Sequence, residues 1–463
     1  MLEPLPPTAP PPPDAVISDA AQTAPPTVEP GLTPVAVAAD PAQLPTGVGQ
    51  AGAAAPGKTP YPPCAAVPTQ EGPEGIRFDF NQGARVLLPT RDSGSWRVTL
   101  RDLDTGNVLF QSENQGAFVT SSKRWYVRFL IEVWAIEDGA AEPRLVMRHA
   151  YDASGHSVLI QFPIGTLGDI LAWFSYAARF AAVHPGARVT CALSPLIIPL
   201  LADAYPELRL VDHDTVAAER LAEAAYATYS LGLFFDDRAC DWQPTDFRQV
   251  GLHRTAAFIL GVDPAEEPPR LVLPEDGPPL DVPYVVIAVQ SSSGCKYWSN
   301  PTGWREVVAY LQAAGYRVVC IDQKPVHGHG LMWTHIPHGV QDETGDRPLA
   351  ERARWLRHAA AFVGLSSGLA WLAWAAGCPT VMISGFTHPD NEFRTPYRVI
   401  NWHVCNSCWN DTSLRFDHFD FFWCPRHKDT PRHFECTRLI TGEQVVRTIT
   451  RIPGFPAVEA AAG

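Results

Sequence analysis

The sequence lacks any long apolar run and any excess of positive charge. No apolar stretch approaches the roughly 18 residues that a membrane-spanning helix needs, which argues against a bilayer span. The chain has 36 basic and 49 acidic side chains and a formal net charge of −13. No overall positive field therefore favours nucleic acid or an anionic membrane. An anionic ligand must be held by local groups.

The first seventy residues lack the side chains from which a core is built. They contain one lysine, Lys58, no arginine, and no phenylalanine or tryptophan, and they are rich in proline and alanine. This composition predicts a leader over residues 1–75 that is disordered or partly polyproline II. The segment also lacks the basic start and apolar stretch of a secretory signal. We therefore expect a cytoplasmic protein, in which disulfides are rare and clustered cysteines more often bind metal.

The rest of the chain carries the patterns of an α/β protein. Hydrophobic residues make up 46% of the 463 residues, enough for two or three domains with real cores. Apolar runs separated by DSGS and DTGN turns predict a small antiparallel β domain, and two later sets of alternating strand and helix patterns predict two Rossmann-like domains with a cleft between them. The predicted divisions are a leader (1–75), the small β domain (76–152), the first Rossmann-like domain (153–275), the second Rossmann-like domain (276–400), a cysteine finger (401–440), and a C-terminal helix and tail (441–463).

Three predicted strand-to-helix loops carry donors suited to an anionic ligand. The first, PIGTLGDI, holds Gly165, Gly168 and Asp169. Its glycines let a ligand approach the backbone, and the helix that follows presents free N–H groups. On the local pattern alone, Asp169 also fits the residue that caps the helix start.

The second loop, QSSSGCKYWSNPTGW, places Ser291, Ser292 and Lys296 after a predicted strand. Hydroxyl, backbone and ammonium donors together suit a phosphate group. The loop lacks the spacing of a P-loop, however, and a lysine in a loop is usually just solvated. The pattern therefore indicates a phosphate contact without identifying the ligand.

The third loop, LSSG, begins an apolar helix with Ser366, Ser367 and Gly368. Capping by Ser367 is the plain alternative to ligand binding. Two donor-rich loops in one half of the protein nevertheless favour a nucleotide diphosphate over coincidence.

Four of the ten cysteines lie close together near the C-terminus, with the spacing C-x2-C-x15-C-x11-C. The first pair fits two thiolate ligands on one turn, but the second pair is too far apart for a zinc ribbon. A structural tetrahedral site for zinc or a single iron is favoured over free thiols and over disulfides, and any of His403, His418, His427 and His433 is able to replace one thiolate. The six other cysteines are interpreted as core residues. The predicted metal ligands are Cys405, Cys408, Cys424 and Cys436.

Four longer segments resemble one known family. These are LGLFFDDRACDWQPTDFR, GCKYWSNPTGW, the run from SSGLAWLAWAAG to HVCNSCWND, and FFWCPRHKDTPRHFEC. They are similar to the bacterial autotransporter heptosyltransferases, and the likeness runs from about residue 76 to 450. The resemblance implies a GT-B fold and an inverting O-heptosyltransferase that modifies an autotransporter passenger in the cytoplasm. It also implies a dodecamer, an ADP-heptose donor, and iron in place of zinc.

The same resemblance implies roles for individual residues. Asp169 would be the general base, Lys296 would contact the donor diphosphate beside Ser291 and Ser292, and the helix start at 366–368 would cradle the nucleotide phosphates. The four cysteines would form the iron finger, at a subunit contact or an acceptor surface. Trp371 stands where the lipopolysaccharide enzymes carry a histidine, as in the autotransporter branch.

The sequence leaves a second function open, because a catalytic core does not need a long Pro/Ala-rich arm. A non-catalytic protein that binds an autotransporter and directs its placement on the cell would use such an arm. A zinc-ribbon nucleic-acid binder, in contrast, is excluded by the acidic balance and by the spacing of the second cysteine pair.

Overall fold

The computed structural model describes residues 64–163 and 166–457. Most of the predicted leader (residues 1–63) and Gly165 lie outside this range. No helix among the described residues is long and apolar enough to span a bilayer.

The described residues form twenty strands. In the first part of the chain they are β1 (Gln70–Glu71), β2 (Arg77–Asn81), β3 (Arg85–Leu88), β4 (Ser95–Asp102), β5 (Val108–Asn114), β6 (Ala117–Thr120), β7 (Phe129–Ile136), β8 (Arg144–Ala150), β9 (Ser157–Gln161), β10 (Arg188–Ala192), β11 (Arg209–Val211) and β12 (Ala227–Ser230). In the second part they are β13 (Tyr284–Ala288), β14 (Arg317–Cys320), β15 (Val326–His329), β16 (Met332–His335), β17 (Gln341–Asp342), β18 (Phe362–Leu365), β19 (Thr380–Ile383) and β20 (Arg398–Val399).

Eleven α-helices connect or cover these strands within the described ranges. They are α1 (Leu167–Val183), α2 (Ile198–Leu201), α3 (His213–Ala218), α4 (Leu221–Ala224), α5 (Phe247–Val250), α6 (Leu252–Leu260), α7 (Gly303–Ala313), α8 (Leu349–His358), α9 (Gly368–Ala375), α10 (Glu435–Arg438) and α11 (Gly442–Ile449).

The first large sheet has the strand order β11-β10-β9-β12-β2-β3-β6, with β1 also paired to β2. The strands from β11 to β2 run parallel, whereas β2, β3 and β6 are antiparallel. Ala227 of β12 lies opposite Phe80 of β2, so a strand of the predicted small β domain is built into the first Rossmann-like sheet. The predicted boundary between residues 152 and 153 therefore does not separate two sheets. The reason is that β2 is buried on both faces and needs a partner on each edge.

The other part of the predicted β domain is a separate antiparallel sheet, with the strand order β5-β4-β7-β8. Its central strand β4 alternates inward and outward side chains at first, and Trp96, Val98 and Leu100 are buried. This alternation matches the period of a half-buried strand, which made these strands readable from the sequence.

The second large sheet is entirely parallel, with the strand order β17-β14-β13-β18-β19-β20. All five residues of its central strand β13 are buried, as expected for a strand covered by helices on both faces. Helix α11 packs against α7, so the C-terminal helix belongs to this second domain. Its buried side chains are Val445, Val446 and Ile449.

Two predictions need correction, one for a helix and one for the leader. The apolar pattern of PLIIPLLADAYP predicts a helix across residues 195–206, but only α2 and one 3-10 turn form, because Pro195, Pro199 and Pro206 lack the N–H donors that a longer helix needs. The leader was expected to reach residue 75, but its last residues already belong to the first sheet. The Thr69 amide donates to the buried Asp79 carboxylate at 3.0 Å, and β1 pairs with β2.

The predicted fold class is confirmed. The first sheet, parallel from β11 to β2, and the second, entirely parallel sheet form the two halves of a GT-B arrangement, each with helices and loops at the carboxyl ends of its parallel strands. In such sheets ligands bind beyond the carboxyl ends of the strands. All three predicted loops lie there, after β9, β13 and β18.

Candidate active site and metal site

Helices α1 and α9 come from different domains, and their N-terminal ends touch at two glycines. A Cβ atom added to Gly168 would lie 3.4 Å from the Gly368 Cα atom and 3.0 Å from Cδ1 of Trp371. A Cβ atom added to Gly368 would lie 3.0 Å from the Leu167 Cβ atom. Larger side chains here would push the two helix ends apart. Because both ends have free N–H groups and positive dipole ends, the contact concentrates positive potential at one point of the cleft.

Asp169 is the third residue of α1, and the N-cap position belongs to Thr166. The alternative in which Asp169 occupies the cap is therefore wrong. Burial raises the pKa of Asp169, while the Thr166 hydroxyl and the Lys296 ammonium offset part of this rise. A carboxylate with a raised pKa takes up a proton more readily, which suits a general base.

Lys296 belongs to the other domain and ends the 3-10 turn Gly294–Lys296 after β13. Its ammonium nitrogen lies 5.7 Å from the centre of the Trp409 ring. Burial lowers the pKa of His418 to about 4, and the positive charge of Lys296 lowers it further. The same charge lowers the pKa of Asp169. Among the residues that the structure describes, no carboxylate forms an ion pair with Lys296. Its ammonium is thus available to an incoming anion.

The serines beside Lys296 differ in how they are used. The Ser291 hydroxyl donates to the Ser293 carbonyl at 2.7 Å, so it stabilises the turn. Ser292 is exposed, and its hydroxyl faces solvent. Ser293, which the sequence did not single out, is fully buried with its hydroxyl 3.0 Å from the Cys295 sulfur. Of the two predicted serine donors, Ser292 is the one whose side chain is open to a ligand.

The helix start at 366–368 is organised by a buried carboxylate that sequence reasoning missed. The Ser366 hydroxyl and the Thr387 hydroxyl both donate to Oε1 of Glu392, the second at 2.6 Å. The other carboxylate oxygen of Glu392 accepts from Arg398, and the Glu392 side chain is 1% exposed. The Ser366 side chain is thereby committed to the protein. Its contribution to a ligand is the position of the backbone.

Ser367 is the N-cap residue of α9, but its side chain makes no capping bond. Within the described part of the chain, its buried hydroxyl oxygen has no hydrogen-bond partner. A buried hydroxyl normally finds a partner, so this oxygen is placed to bind a ligand at the helix start. Ser367 and Gly368 therefore lie with Asp169 at the meeting point of α1 and α9.

Asp322, beyond the end of β14, was also missed. It accepts the Val289 amide at 2.7 Å, at the root of the loop that carries Lys296. Burial raises the pKa of Asp322 to about 6. No local pattern marks Asp322 or Glu392, because both act through contacts with residues distant in sequence.

The four predicted cysteine ligands lie in the finger, and all ten cysteines fall within the described residues and are free of disulfides. Cys405, Cys408 and Cys424 pack in one apolar cluster. Burial raises the pKa of Cys408 to about 12, and the Cys405 thiol raises it further. Burial also raises the pKa of Cys436, followed by the effects of Cys408, Cys424, Cys295 and Cys405. Among the described residues, however, the four sulfurs do not form a group with all ligand atoms within 4.8 Å of one another.

A second ligand set overlaps the first at Cys405. The Cys405 sulfur, a ring nitrogen of His427 and a carboxylate oxygen of Glu435 all lie within 4.8 Å of one another, close enough to hold a metal ion together. Glu435, however, already binds Arg432 through both oxygens and accepts the Cys405 amide at 2.9 Å. These bonds lower the pKa of Glu435 to about 2, with Arg432 the largest cause. Glu435 is thus better suited to orienting Cys405 than to leaving its partners for a metal.

The four cysteines match a tetrahedral thiolate-bound ion in ligand number and type, since they are buried or half-buried and without disulfides. Their sulfurs would have to move closer together to bind one ion. Bound thiols would lose their protons, and the metal would supply the charge that makes four neighbouring thiolates tolerable. Arg426, 3.7 Å from the Cys405 sulfur, adds further positive charge.

The Glu392 network gives a direct test of the helix start. In Glu392→Gln, Arg398 keeps its charge in a nearly buried position without a carboxylate, so the free energy of unfolding is expected to fall by about 3–5 kcal/mol. Thermal and denaturant unfolding measure this loss. The matched control is Glu351→Gln, which removes a more exposed ion pair with Arg347 and is expected to cost at most about 1 kcal/mol. Equal losses in the two variants would contradict the role of Glu392.

Family comparisons agree with this architecture. Residues 72–137 match the family model described as the N-terminal domain of glycosyltransferase TibC, and residues 261–417 match glycosyltransferase family 9 (heptosyltransferase). The chain is 53% identical to the autotransporter heptosyltransferase BAHTCr of Citrobacter rodentium, over 83% of this chain and 91% of the relative. It is 48% identical to the inactive autotransporter heptosyltransferase BimC of Burkholderia thailandensis, over 85% of this chain and 90% of the relative.

Solved structures support the same relationship. The crystal structure of the iron-containing dodecameric glycosyltransferase TibC from enterotoxigenic Escherichia coli is 51% identical, with a TM-score of 0.78, covering 84% of this chain and 98% of TibC. TibC in complex with ADP-D-beta-D-heptose matches with a TM-score of 0.77 and 50% identity, over 84% of this chain and 98% of TibC. The resemblance seen in the sequence is thus confirmed, and the chain belongs to the autotransporter heptosyltransferase family of glycosyltransferases.

Proposed function

We propose that the protein is an inverting O-heptosyltransferase that moves heptose from ADP-heptose to serine hydroxyls of an autotransporter passenger. The observation that carries this proposal is that Asp169 and Lys296 come from different domains and lie close enough for the charge of Lys296 to affect the pKa of Asp169. One domain supplies a partly buried carboxylate with a raised pKa, and the other supplies an ammonium group free to bind an anion.

The donor diphosphate binds where the two helix starts meet. Free N–H groups of α9, the unpartnered Ser367 hydroxyl and the Lys296 ammonium supply positive charge and hydrogen-bond donors there. The same groups stabilise the departing ADP, which takes the electron pair of the breaking carbon–oxygen bond. The N-terminal end of α1 adds to this potential from the opposite domain. The exposed Ser292 completes the set of donors from the second domain.

Asp169 acts on the acceptor. A serine hydroxyl is a poor nucleophile, and a carboxylate within about 3 Å takes its proton as the oxygen attacks the anomeric carbon. Attack on the face opposite the departing ADP inverts the configuration. Because Lys296 offsets only part of the rise in the pKa of Asp169, the carboxylate keeps a raised pKa while the ammonium binds phosphate.

The central test is heptose transfer to a passenger. Purified protein incubated with ADP-heptose and an autotransporter passenger is expected to raise the passenger's intact mass by heptose units. Asp169→Asn is expected to lower kcat by about 10²- to 10⁴-fold, because the proton acceptor is lost. The rate should rise with pH through the raised pKa of Asp169, since only the ionised form accepts the proton.

Thr166→Val serves as the matched variant for the pH profile. The Thr166 hydroxyl lowers the pKa of Asp169, so its removal is expected to move the acidic limb of kcat/KM to higher pH while activity above that limb is kept. Absence of added mass, or full activity of Asp169→Asn, would overturn the proposal.

We infer that the metal is iron and that Cys405, Cys408, Cys424 and Cys436 hold it. The support is the set of four free thiols in the finger, together with the crystal structure of TibC as an iron-containing glycosyltransferase. Four protein ligands leave no open position, so the ion acts as a structural crosslink of the finger.

Metal analysis of purified variants distinguishes the four-cysteine ligand set from the set of Cys405, His427 and Glu435, and it distinguishes iron from zinc. The purified protein is expected to hold about one iron per chain and no zinc, with visible thiolate-to-iron absorption. Cys436→Ser is expected to lose the metal and to lower the melting temperature, whereas His427→Gln is expected to retain the metal. Metal loss in His427→Gln with retention in Cys436→Ser would favour the Cys405, His427 and Glu435 set instead. One equivalent of zinc without visible absorption would overturn the choice of iron.

Two further properties are proposed from the same relatives. We propose a homo-oligomer, a dodecamer by similarity to TibC, that acts in the cytoplasm on its passenger before export. A second function is also kept, because BimC, 48% identical, is described as inactive. In that case the protein would bind an autotransporter and direct its placement without transferring sugar.

Deletion of residues 1–63 discriminates the second function. The deletion stops there because Thr69 and β1 belong to the first sheet, so the remaining core is expected to keep its melting temperature. If the protein is a docking partner, the deletion should abolish passenger binding in pull-down and calorimetry, with no mass added by the full-length protein. If it is the transferase, the deletion should leave heptose transfer intact, and this is the result we expect.

A further inference from the structure

The finger (residues 401–440) packs directly against the donor loop (residues 290–304). A Cβ atom added to Gly294 would lie 2.2 Å from the Phe421 carbonyl oxygen, so the finger backbone touches the loop backbone. The next residue, Cys295, is buried in the apolar cluster of the finger together with Cys408 and Cys424. The donor loop thus shares a core with the predicted metal ligands.

The far end of the donor loop is also attached to the finger. The Trp298 indole N–H donates to the Ile440 carbonyl at 2.9 Å, and the Asn300 side-chain amide donates to the Arg438 carbonyl at 3.2 Å. Lys296 lies between these attachments and the Gly294 contact. Its backbone position therefore depends on the finger from both sides.

The Lys296 side chain meets one finger residue in particular. Its ammonium nitrogen lies 5.7 Å from the centre of the Trp409 ring, within the range of a cation–π interaction. Trp409 is 7% exposed, and its indole N–H donates to Oδ1 of Asn391 at 3.0 Å, which fixes the ring. Because Trp409 directly follows Cys408, a metal bound at Cys408 anchors the backbone that carries the ring.

The finger holds the first domain as well. The Trp409 ring lies 5.6 Å from that of Phe235 and 5.8 Å from that of Phe247, centre to centre. The side-chain amide of Asn410 donates to the Arg248 carbonyl at 2.9 Å, and Arg248 in turn donates to the Leu414 carbonyl at 3.2 Å. The finger therefore joins the segment 235–248 of the first domain to the donor loop of the second.

We propose that Trp409 is a positioning residue for Lys296, and that the metal-bound finger thereby sets the affinity for the nucleotide diphosphate of the donor. The proposal rests on the proposed function, since it concerns the same donor site. The ring holds the ammonium toward the phosphate position and away from a direct ion pair with Asp169. Without the ring, the flexible lysine side chain samples other positions, and ordering it on binding costs entropy.

The test is a double-mutant cycle read by ADP binding, with calorimetry on the metal-loaded full-length protein. Trp409→Leu is expected to weaken ADP binding by about 3- to 30-fold, in line with the strength of a partly desolvated cation–π contact. Trp409→Phe keeps an aromatic face and is expected to recover most of the affinity. In a Lys296→Met background, Trp409→Leu is expected to have little further effect, because the partner of the ring is already absent.

Phe416→Leu is the matched control. Its ring packs in the same cluster, with its centre 5.3 Å from that of Trp409. Among the described residues, the Lys296 ammonium makes its cation–π contact with Trp409 and not with Phe416. Phe416→Leu is expected to lower the melting temperature while leaving ADP affinity within about twofold. Metal content is measured for every variant, so that loss of the ion is separated from loss of the ring. In steady-state transfer assays, Trp409→Leu should raise KM for ADP-heptose more than it lowers kcat.

Three results would overturn the proposal. These are unchanged ADP affinity in Trp409→Leu, an equal loss of affinity in Phe416→Leu, or an undiminished effect of Trp409→Leu in the Lys296→Met background. Failure of the transferase proposal gives a different pattern, in which wild-type protein binds ADP but adds no mass to the passenger. Wild-type protein that binds no ADP would contradict both proposals.

Discussion

The close contact of Gly168 and Gly368 is the constraint on which the rest of the site depends. It brings the N-terminal ends of α1 and α9 together from two different domains, because neither glycine carries a side chain. Asp169 on one helix and Ser367 at the start of the other are thereby placed at the meeting point of the two helices. In an acidic chain with a net charge of −13, the two helix ends concentrate positive potential at this point, which supports the proposed binding of an anionic sugar nucleotide.

Other contacts in the molecule hold these two helix ends in place. Glu392, bound by Ser366, Thr387 and Arg398, holds the start of α9 from behind, and the finger holds the donor loop from the side. In the proposed function, a metal held by the finger lies outside the chemistry while affecting where the reacting groups stand. The role proposed for the four cysteines is to fix a small, aromatic unit whose own hydrophobic core is limited.

Local patterns predicted the two α/β sheets and the loops after β9, β13 and β18, because each needs only a few adjacent residues to be recognised. Asp169 and Lys296 were found in this way, and family likeness added their roles. Glu392 was missed because its meaning depends on Ser366, 26 residues away in sequence. The same limit applies to β2, which lies within the region predicted as the small β domain but whose partner β12 no local pattern indicates. Residues Asn81 and Thr228, which hydrogen-bond across that pair, are 147 positions apart. Similarly, the pattern placed Asp169 at the start of a helix, but it did not show that Thr166 occupies the N-cap and that Asp169 lies inside the first turn.

The insertion of β2 beside β12 has a consequence for how the protein is made. During synthesis β2 pairs with the neighbouring β3 and, at Arg77 and Phe78, with β1, but Phe80 and Asn81 have no partner on the β1 side until residues 227–230 have been added. Until then the chain keeps an incompletely paired strand edge, the kind of surface from which chains aggregate. Closure of the first sheet is thus a late and non-local event, which slows folding. The antiparallel sheet β5-β4-β7-β8, whose strands all lie within residues 95–150, can form while the chain is still growing.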